Sequence, residues 1–287
     1  MSLFALSQDV FAQHFPELGF KIQHHLQHSP LFSLSRLVSL SRTLPEEHVE
    51  YNSGTLTPNH GNQTVPFNGL SIEDTIKAIE TCQSWMVLKF VEQDNAYRQL
   101  LDACLDEIYL EAGKKLTGLH KRSAFIFITS PNSVTPYHID PEHNFLLQIR
   151  GNKTMYQFDK HNPNLLPEAL LEEKYYKADT NRNLPFQAAF QTQAKCFDLQ
   201  PGEGLFVPIN VPHWVQNGDN VSISFSITFH STQSDREARL HKMNGWLRQH
   251  GLTPSPLGKC AWRDQLKYQS FMWMRKTAHL LKSNEPD

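Results

Sequence analysis

The spacing of apolar positions changes period twice along the chain. Before residue 118 the signal is mixed: residues 4–15 predict a short helix, and residues 85–91 a strand. Ser71 followed by Asp74 forms a helix-capping pair ahead of an Ile72, Ile76, Ile79 stripe, and residues 95–112 read as an amphipathic helix. Residues 53–69, rich in Gly, Pro, Asn and Thr, read as loop. After Gly118 the period shortens to two. Strands are predicted at 123–129, 144–150, 154–158, 188–191, 195–199, 205–207 and 221–229, with a short acidic helix within 163–177. From Ser234 the pattern is helical again, interrupted at 251–258, giving helices near 235–248 and 260–281. Many short strands with Pro and Gly turns imply a sandwich or barrel. The expected organisation is a mixed region over 1–118 packing on a β core at 119–231, then a helical region over 232–287.

Composition narrows this picture. The 287 residues are 39% hydrophobic and 20% charged, enough for a sizeable core and too apolar for global disorder. A formal net charge of −2 gives no whole-chain electrostatic argument for nucleic acid. Cys82, Cys104, Cys196 and Cys260 are scattered and form no Cys-x-x-Cys pair, which argues against a structural zinc site or a disulfide framework. Asp9 and Glu17 interrupt the first apolar stretch, and no run approaches the roughly 20 apolar residues that span a bilayer. The cytoplasm is the expected location.

The chemistry concentrates in residues 135–153. His138 and Asp140 are two apart, so on extended backbone both side chains leave one face. A later histidine, His213, follows a strand and a proline-flanked turn and is the candidate third ligand. Two imidazoles and one carboxylate form the facial triad of non-haem Fe(II) oxygenases, with three positions left open. With 15 histidines in the chain, a His-x-Asp pair alone carries little weight. Among rival ligands, His143 has the wrong parity and His161 lies in an Asn/Pro loop, while His230 is a third neighbour.

The surroundings carry more weight. Thr135, Pro136, His138, Asp140, Asn144, the Gln148-Ile-Arg-Gly151 turn and Lys153, together with Pro208 through His213, resemble the JmjC-type, cupin-like 2-oxoglutarate oxygenases, in particular the asparaginyl hydroxylase of hypoxia-inducible factor. The likeness covers about residues 120–230. It implies a double-stranded β-helix (cupin/jelly-roll) with C-terminal helices, Fe(II) on His138, Asp140 and His213, and 2-oxoglutarate as co-substrate. By the same resemblance Lys153 and Thr135 meet the distal carboxylate of the co-substrate and Asn144 orients it. Ser226 stands near the place of the family's second asparagine, with Ser224 and Thr228 as alternatives. Val211-Pro212 replaces the family's usual aromatic pair before the second histidine.

The implied activity is hydroxylation of a protein or small-molecule substrate. The alternative is a non-catalytic cupin that binds a small ligand or regulates transcription. A Lys at position 153 favours the first, because neither a sensor nor a scaffold specifically needs a cation there. Trp214 is expected to pack at the barrel mouth, and Tyr137 to face away from the ligands. Residues 168–177 are a candidate lid, with a solvated surface helix the preferred reading. In the C-terminal helices, Arg263, Lys267, Arg275 and Lys276 alternate with Trp262, Phe271 and Trp273. Their spacing gives an apolar stripe, as a packing or dimerising helix requires, rather than a nucleic-acid surface; the resemblance implies a homodimer through these helices, and no membrane partner is expected.

Overall fold

The computed structural model describes residues 2–59 and 67–282, with side chains as far as 277. Part of the loop expected at 53–69 therefore lies outside the described residues. The chain divides into two compact units, one within residues 1–159 and 182–231, the other within 160–181 and 232–287.

The first unit holds strands β1 (Phe4–Ala5), β2 (Lys21–His24), β3 (Val49–Ser53), β4 (Ser84–Lys89), β5 (His120–Thr129), β6 (Val134–His138), β7 (His143–Arg150), β8 (Lys153–Gln157), β9 (Lys195–Leu199), β10 (Glu203–Val207), β11 (His213–Asn217) and β12 (Ser222–His230). It also holds helices α1 (Gln8–His14), α2 (Leu34–Ser41), α3 (Ile72–Lys77) and α4 (Asn95–Ala112). The strands form an eight-stranded sheet, β1-β2-β10-β7-β12-β5-β4-β3, and a four-stranded sheet, β6-β11-β8-β9. Every pairing is antiparallel. From β5 onward, strands alternate between the sheets, except that β8 and β9 are neighbours in the small sheet, so that β10-β7-β12-β5 faces β6-β11-β8-β9. That connectivity is the double-stranded β-helix expected from the sequence.

Period-two alternation sorts the large sheet's side chains between two faces. One face (Met86, Leu88, Ile126, Ile128, Phe145, Leu147, Phe225, Ile227 and Phe229) joins the core cluster that includes Leu101, Leu105 and Ile108 of α4 and Phe11 of α1. The other face meets the small sheet through Leu146, Leu205, Val207, Met155, Leu199 and Val215, with Phe127 against them. The helices start where the sequence provides caps. The Ser71 hydroxyl accepts from Asp74 N at 3.1 Å, and the Asp94 carboxylate accepts from Ala96 N at 3.0 Å.

Two expected strands differ. Residues 188–191 lie in a 3-10 helix, Ala188–Gln193, in which Phe190 alone is buried; one anchoring ring does not give the alternation a strand needs. The strand expected over 85–91 ends at Lys89, because Phe90 turns into the left-handed region at φ 54°. Residues 4–15, expected as a short helix, hold β1 as well as α1, and a later segment contributes β2.

Lys153 is placed by the tight β7–β8 turn. Gly151 there has φ 69°, and a Cβ would lie 2.4 Å from the Val221 carbonyl oxygen. Gly151→Ala combines left-handed strain with a backbone clash, so a loss of about 2 kcal/mol or more is expected in chemical denaturation.

In the second unit, α5 (Glu168–Lys177), α6 (Thr232–Gln249) and α7 (Ala261–Lys282) pack together. Glu172 of α5, buried, accepts from Asn244 Nδ2 at 2.7 Å and pairs with Arg248. The acidic segment is thus not a merely solvated surface helix, because Leu171 and Glu172 are its buried anchors.

Candidate metal centre

His138 ends β6 and His213 begins β11, and the two are register partners. Asp140 lies two residues past the end of β6, where its carbonyl accepts from Asn210 N at 2.9 Å. The expectation of one regular strand carrying both His138 and Asp140 therefore holds only as far as His138, although the side chains still converge. His138 Nε2 is 3.9 Å from Asp140 Oδ1, and His213 Nε2 is 3.7 Å from Asp140 Oδ2. One ligand atom from each residue lies within 4.8 Å of the others, so the group could hold a metal ion.

Hydrogen bonds prepare the imidazoles. His138 Nδ1 lies 2.7 Å from the Pro136 carbonyl and His213 Nδ1 lies 2.9 Å from the Val211 carbonyl. A carbonyl can only accept, so each Nδ1 carries the proton and each Nε2 keeps its lone pair for a metal. Burial pushes the His213 pKa down to about 4, which keeps it neutral near pH 7. Burial alone would raise Asp140, but Arg182, His138 and His213 outweigh it and hold the carboxyl below its usual range. Two imidazoles and one carboxylate suit a divalent first-row metal.

Arg182 is the residue that sequence reasoning missed. The segment around it lines up beside β6: Ile139 N donates to Arg182 O at 3.1 Å, Leu184 N to Tyr137 O at 2.9 Å, and His138 bridges Asn183. The guanidinium donates to Asp140 Oδ1 at 2.7 Å and to Glu142 Oε1 at 2.8 Å. It fixes the carboxylate while Oδ2 stays on the His213 side. Nothing in the Asp179-Thr-Asn-Arg182-Asn sequence signals this role.

Deeper between the sheets, Ser226 Oγ donates to Asn144 Oδ1 at 2.8 Å, leaving Asn144 Nδ2 as the group free to donate. The alternatives to Ser226 are engaged elsewhere: Ser224 with Gln148 and Thr228 with the Ser123 carbonyl. Thr135 pairs in register with Val215. Lys153 pairs with Asn217 at the opposite end of β11 from His213. It is only 6% exposed, and burial drives its pKa down to about 7.

A model of the cupin-like domain matches residues 36–235. The chain belongs to the cupin-like domain family. No curated protein sequence matches it. Among solved structures, YcfD from Escherichia coli is similar, with TM-score 0.50 and 15% identity over 99% of this chain and 69% of that one. A second structure, described as YcfD, a ribosomal oxygenase from Escherichia coli, in complex with cobalt and 2-oxoglutarate, gives TM-score 0.48 at 14% identity over 100% and 69%. At these identities the likeness is one of fold.

Within the first unit the rival histidines His143 and His230 lie apart from the triad. His143 is buried on the helix-covered face, with ring centroids 5.8 Å from Phe206 and 5.3 Å from Phe229. His230, at the end of β12, faces His120, and His161 belongs to the second unit. Tyr137 packs among Phe158, Phe186 and Phe190, away from the ligands as expected. Trp214 stacks on Tyr156 at 4.1 Å and donates to Gln191 Oε1 at 3.1 Å.

Proposed function

We propose that this cupin-like protein is an Fe(II)- and 2-oxoglutarate-dependent oxygenase that hydroxylates a C–H bond of a protein or small-molecule substrate. In this reading His138, Asp140 and His213 hold the metal, and Thr135, Asn144, Lys153 and Ser226 serve the co-substrate. The observation that carries it is the Lys153 ammonium, buried between the sheets with desolvation the one influence on its ionisation. An unpaired buried cation costs several kcal/mol, and neither a sensor nor a scaffold requires one.

A dicarboxylic keto acid fits both ends of the space. His138, Asp140 and His213 would hold the metal at one end of the space, where the keto-acid head would bind. Its far carboxylate pairs with Lys153. Asn217, the register partner of Lys153, lies four positions after His213 on β11, a rise of about 13 Å. A five-carbon diacid and an extended lysine side chain together fill that span. When bound, Fe(II) supplies O2 activation, converting 2-oxoglutarate to succinate and CO2 with one oxygen atom delivered to the substrate. The protein's own part is orientation and exclusion of water. Arg182 fixes Asp140, Ser226 sets the Asn144 amide, and Met155, Leu205, Val207 and Val215 close the space between the sheets.

Succinate release from 2-oxoglutarate, measured with and without Fe(II) and candidate substrates, tests the proposal. Iron-dependent succinate is expected, and substrate should stimulate it. Metal and ligand binding without any turnover would instead favour a non-catalytic ligand-binding protein.

The assembly belongs to the same reading. Trp262, Leu266 and Trp273 of α7 are 65%, 56% and 68% exposed and fall on one helical face. A two-fold pairing through this face would cover it, and light scattering is expected to give about twice the 33.1 kDa chain mass. A concentration-independent mass of one chain would remove the dimer. Among the described residues no helix is long and apolar enough to cross a membrane. The four cysteines are free thiols, which fits action in the reducing cytoplasm.

A further inference from the structure

The second unit contains a groove that the chemistry at the triad does not use. It encloses about 310 Å³ and is walled by α5, α6 and α7. That volume lies at the lower end of the range for small-molecule sites. His138, Asp140 and His213 all belong to the first unit.

Helical spacing builds the walls. Lys242, Met243 and Trp246 stand on one face of α6, and Phe271, Met274 and Arg275 on one face of α7. Tyr176 of α5, 40% exposed, closes the third side. Gly245 brings it in. A Cβ there would lie 2.4 Å from the Glu172 carbonyl oxygen and 2.6 Å from Tyr176 Cβ, so the close approach of α5 to α6 requires glycine. Met243 is buried at the floor, while Trp246, Phe271 and Met274 are half-buried. Thioethers and aromatic rings give a surface that adapts to an apolar body.

Charge sets the class of ligand. No acidic residue lines the groove. Lys242 and Arg275 are exposed, and neither has a hydrogen bond or ion pair among the described residues. The arginines of α6 are instead engaged: Arg236 donates to Gln265, Arg239 pairs with Asp235, and Arg248 pairs with Glu172. Apolar walls beneath two uncommitted cations complement a molecule with an apolar body and an anionic end. The face of α7 proposed for pairing is a different one. At 3.6 residues per turn, Trp262, Leu266 and Trp273 leave the helix on the side opposite Phe271, Met274 and Arg275.

We propose that this groove binds a small amphipathic carboxylate, with its apolar body among Trp246, Phe271 and Met274 and its carboxylate on Lys242 and Arg275. The planar guanidinium fork of Arg275 matches a carboxylate, and the Lys242 ammonium adds a second charge. The site does not depend on the oxygenase reading.

Decanoate, decan-1-ol and decyltrimethylammonium share one chain length and differ in the charge of the head. Titrated into the full-length protein and followed by tryptophan fluorescence, decanoate is expected to bind tightest, at one equivalent, and the quaternary amine weakest. In Trp246→Phe the fluorescence change should vanish while calorimetry still shows binding; a change that persists overturns the location. The double variant Lys242→Gln/Arg275→Gln alters only exposed side chains. It is expected to weaken decanoate about tenfold, the combined effect of two exposed ion pairs, and to leave decan-1-ol unchanged. Equal affinity for the three head groups, or unchanged decanoate affinity in the double variant, overturns the proposal. Absence of decanoate binding also overturns it, and tryptophan emission that then varies with protein concentration would make a second copy of the chain the occupant.

Discussion

Lys153→Met should stabilise the ligand-free protein while weakening its affinity for 2-oxoglutarate. The two effects share one cause. The unfolded chain holds the Lys153 proton to about pH 10.5, whereas the folded, empty chain holds it only to about pH 7. The unfolded state therefore binds more protons between those values, and stability rises with pH across that interval. Below pH 7 both states are protonated and the penalty is present in full, roughly 4–5 kcal/mol from the difference in proton affinity. Methionine keeps most of the side-chain volume without the charge. Thermal melts of the variant should lie above wild type at pH 6–7 and converge with it near pH 10. Its 2-oxoglutarate affinity should fall at least tenfold, since a carboxylate loses a charge-assisted contact of about 1.5–3 kcal/mol. Binding to wild type near pH 7 should also take up a proton, visible as a buffer-dependent heat in calorimetry. A variant that is less stable than wild type and binds as well would mean that Lys153 pairs with something other than the co-substrate.

The second large effect concerns the metal. His138→Ala or His213→Ala removes one of the three proposed ligands and should lower Fe(II) affinity by more than about a hundredfold, beyond what outer-shell changes cause. His143→Ala should keep the metal, because its ring is buried among Phe206 and Phe229 on the other face of the sheet. Elemental analysis after anaerobic reconstitution separates these outcomes. Equal loss in all three variants would contradict the register of β6 against β11.

Much of this arrangement is legible in the sequence, for reasons that differ by residue. His138 and Asp140 could be read because a two-residue spacing on extended backbone sets direction, even though β6 ends at His138. Lys153 could be read because a short turn through Gly151 fixes its distance from the triad strand. Ser226 could be named but not distinguished from Ser224 and Thr228, since all three point alike from β12 and only the hydrogen bond to Asn144 separates them. Arg182 was not legible. It reaches Asp140 from 42 residues away through a loop with no periodic signal. The short strands β1, β2 and β3 were missed for a related reason: two to five residues carry too little alternation, and their pairing is set by the sheet they join. The acidic helix α5 was read as mainly solvated because one buried carboxylate, Glu172, looks in sequence like any exposed glutamate.

Anaerobic titration of the Fe(II)-loaded protein with 2-oxoglutarate, followed by visible absorption, tests the central claim most directly. Chelation of the keto acid at a His-Asp-His iron centre should produce a charge-transfer band that needs both components, saturates at one equivalent and disappears in His213→Ala. A colourless mixture, or a band that survives in His213→Ala, would contradict the proposed site.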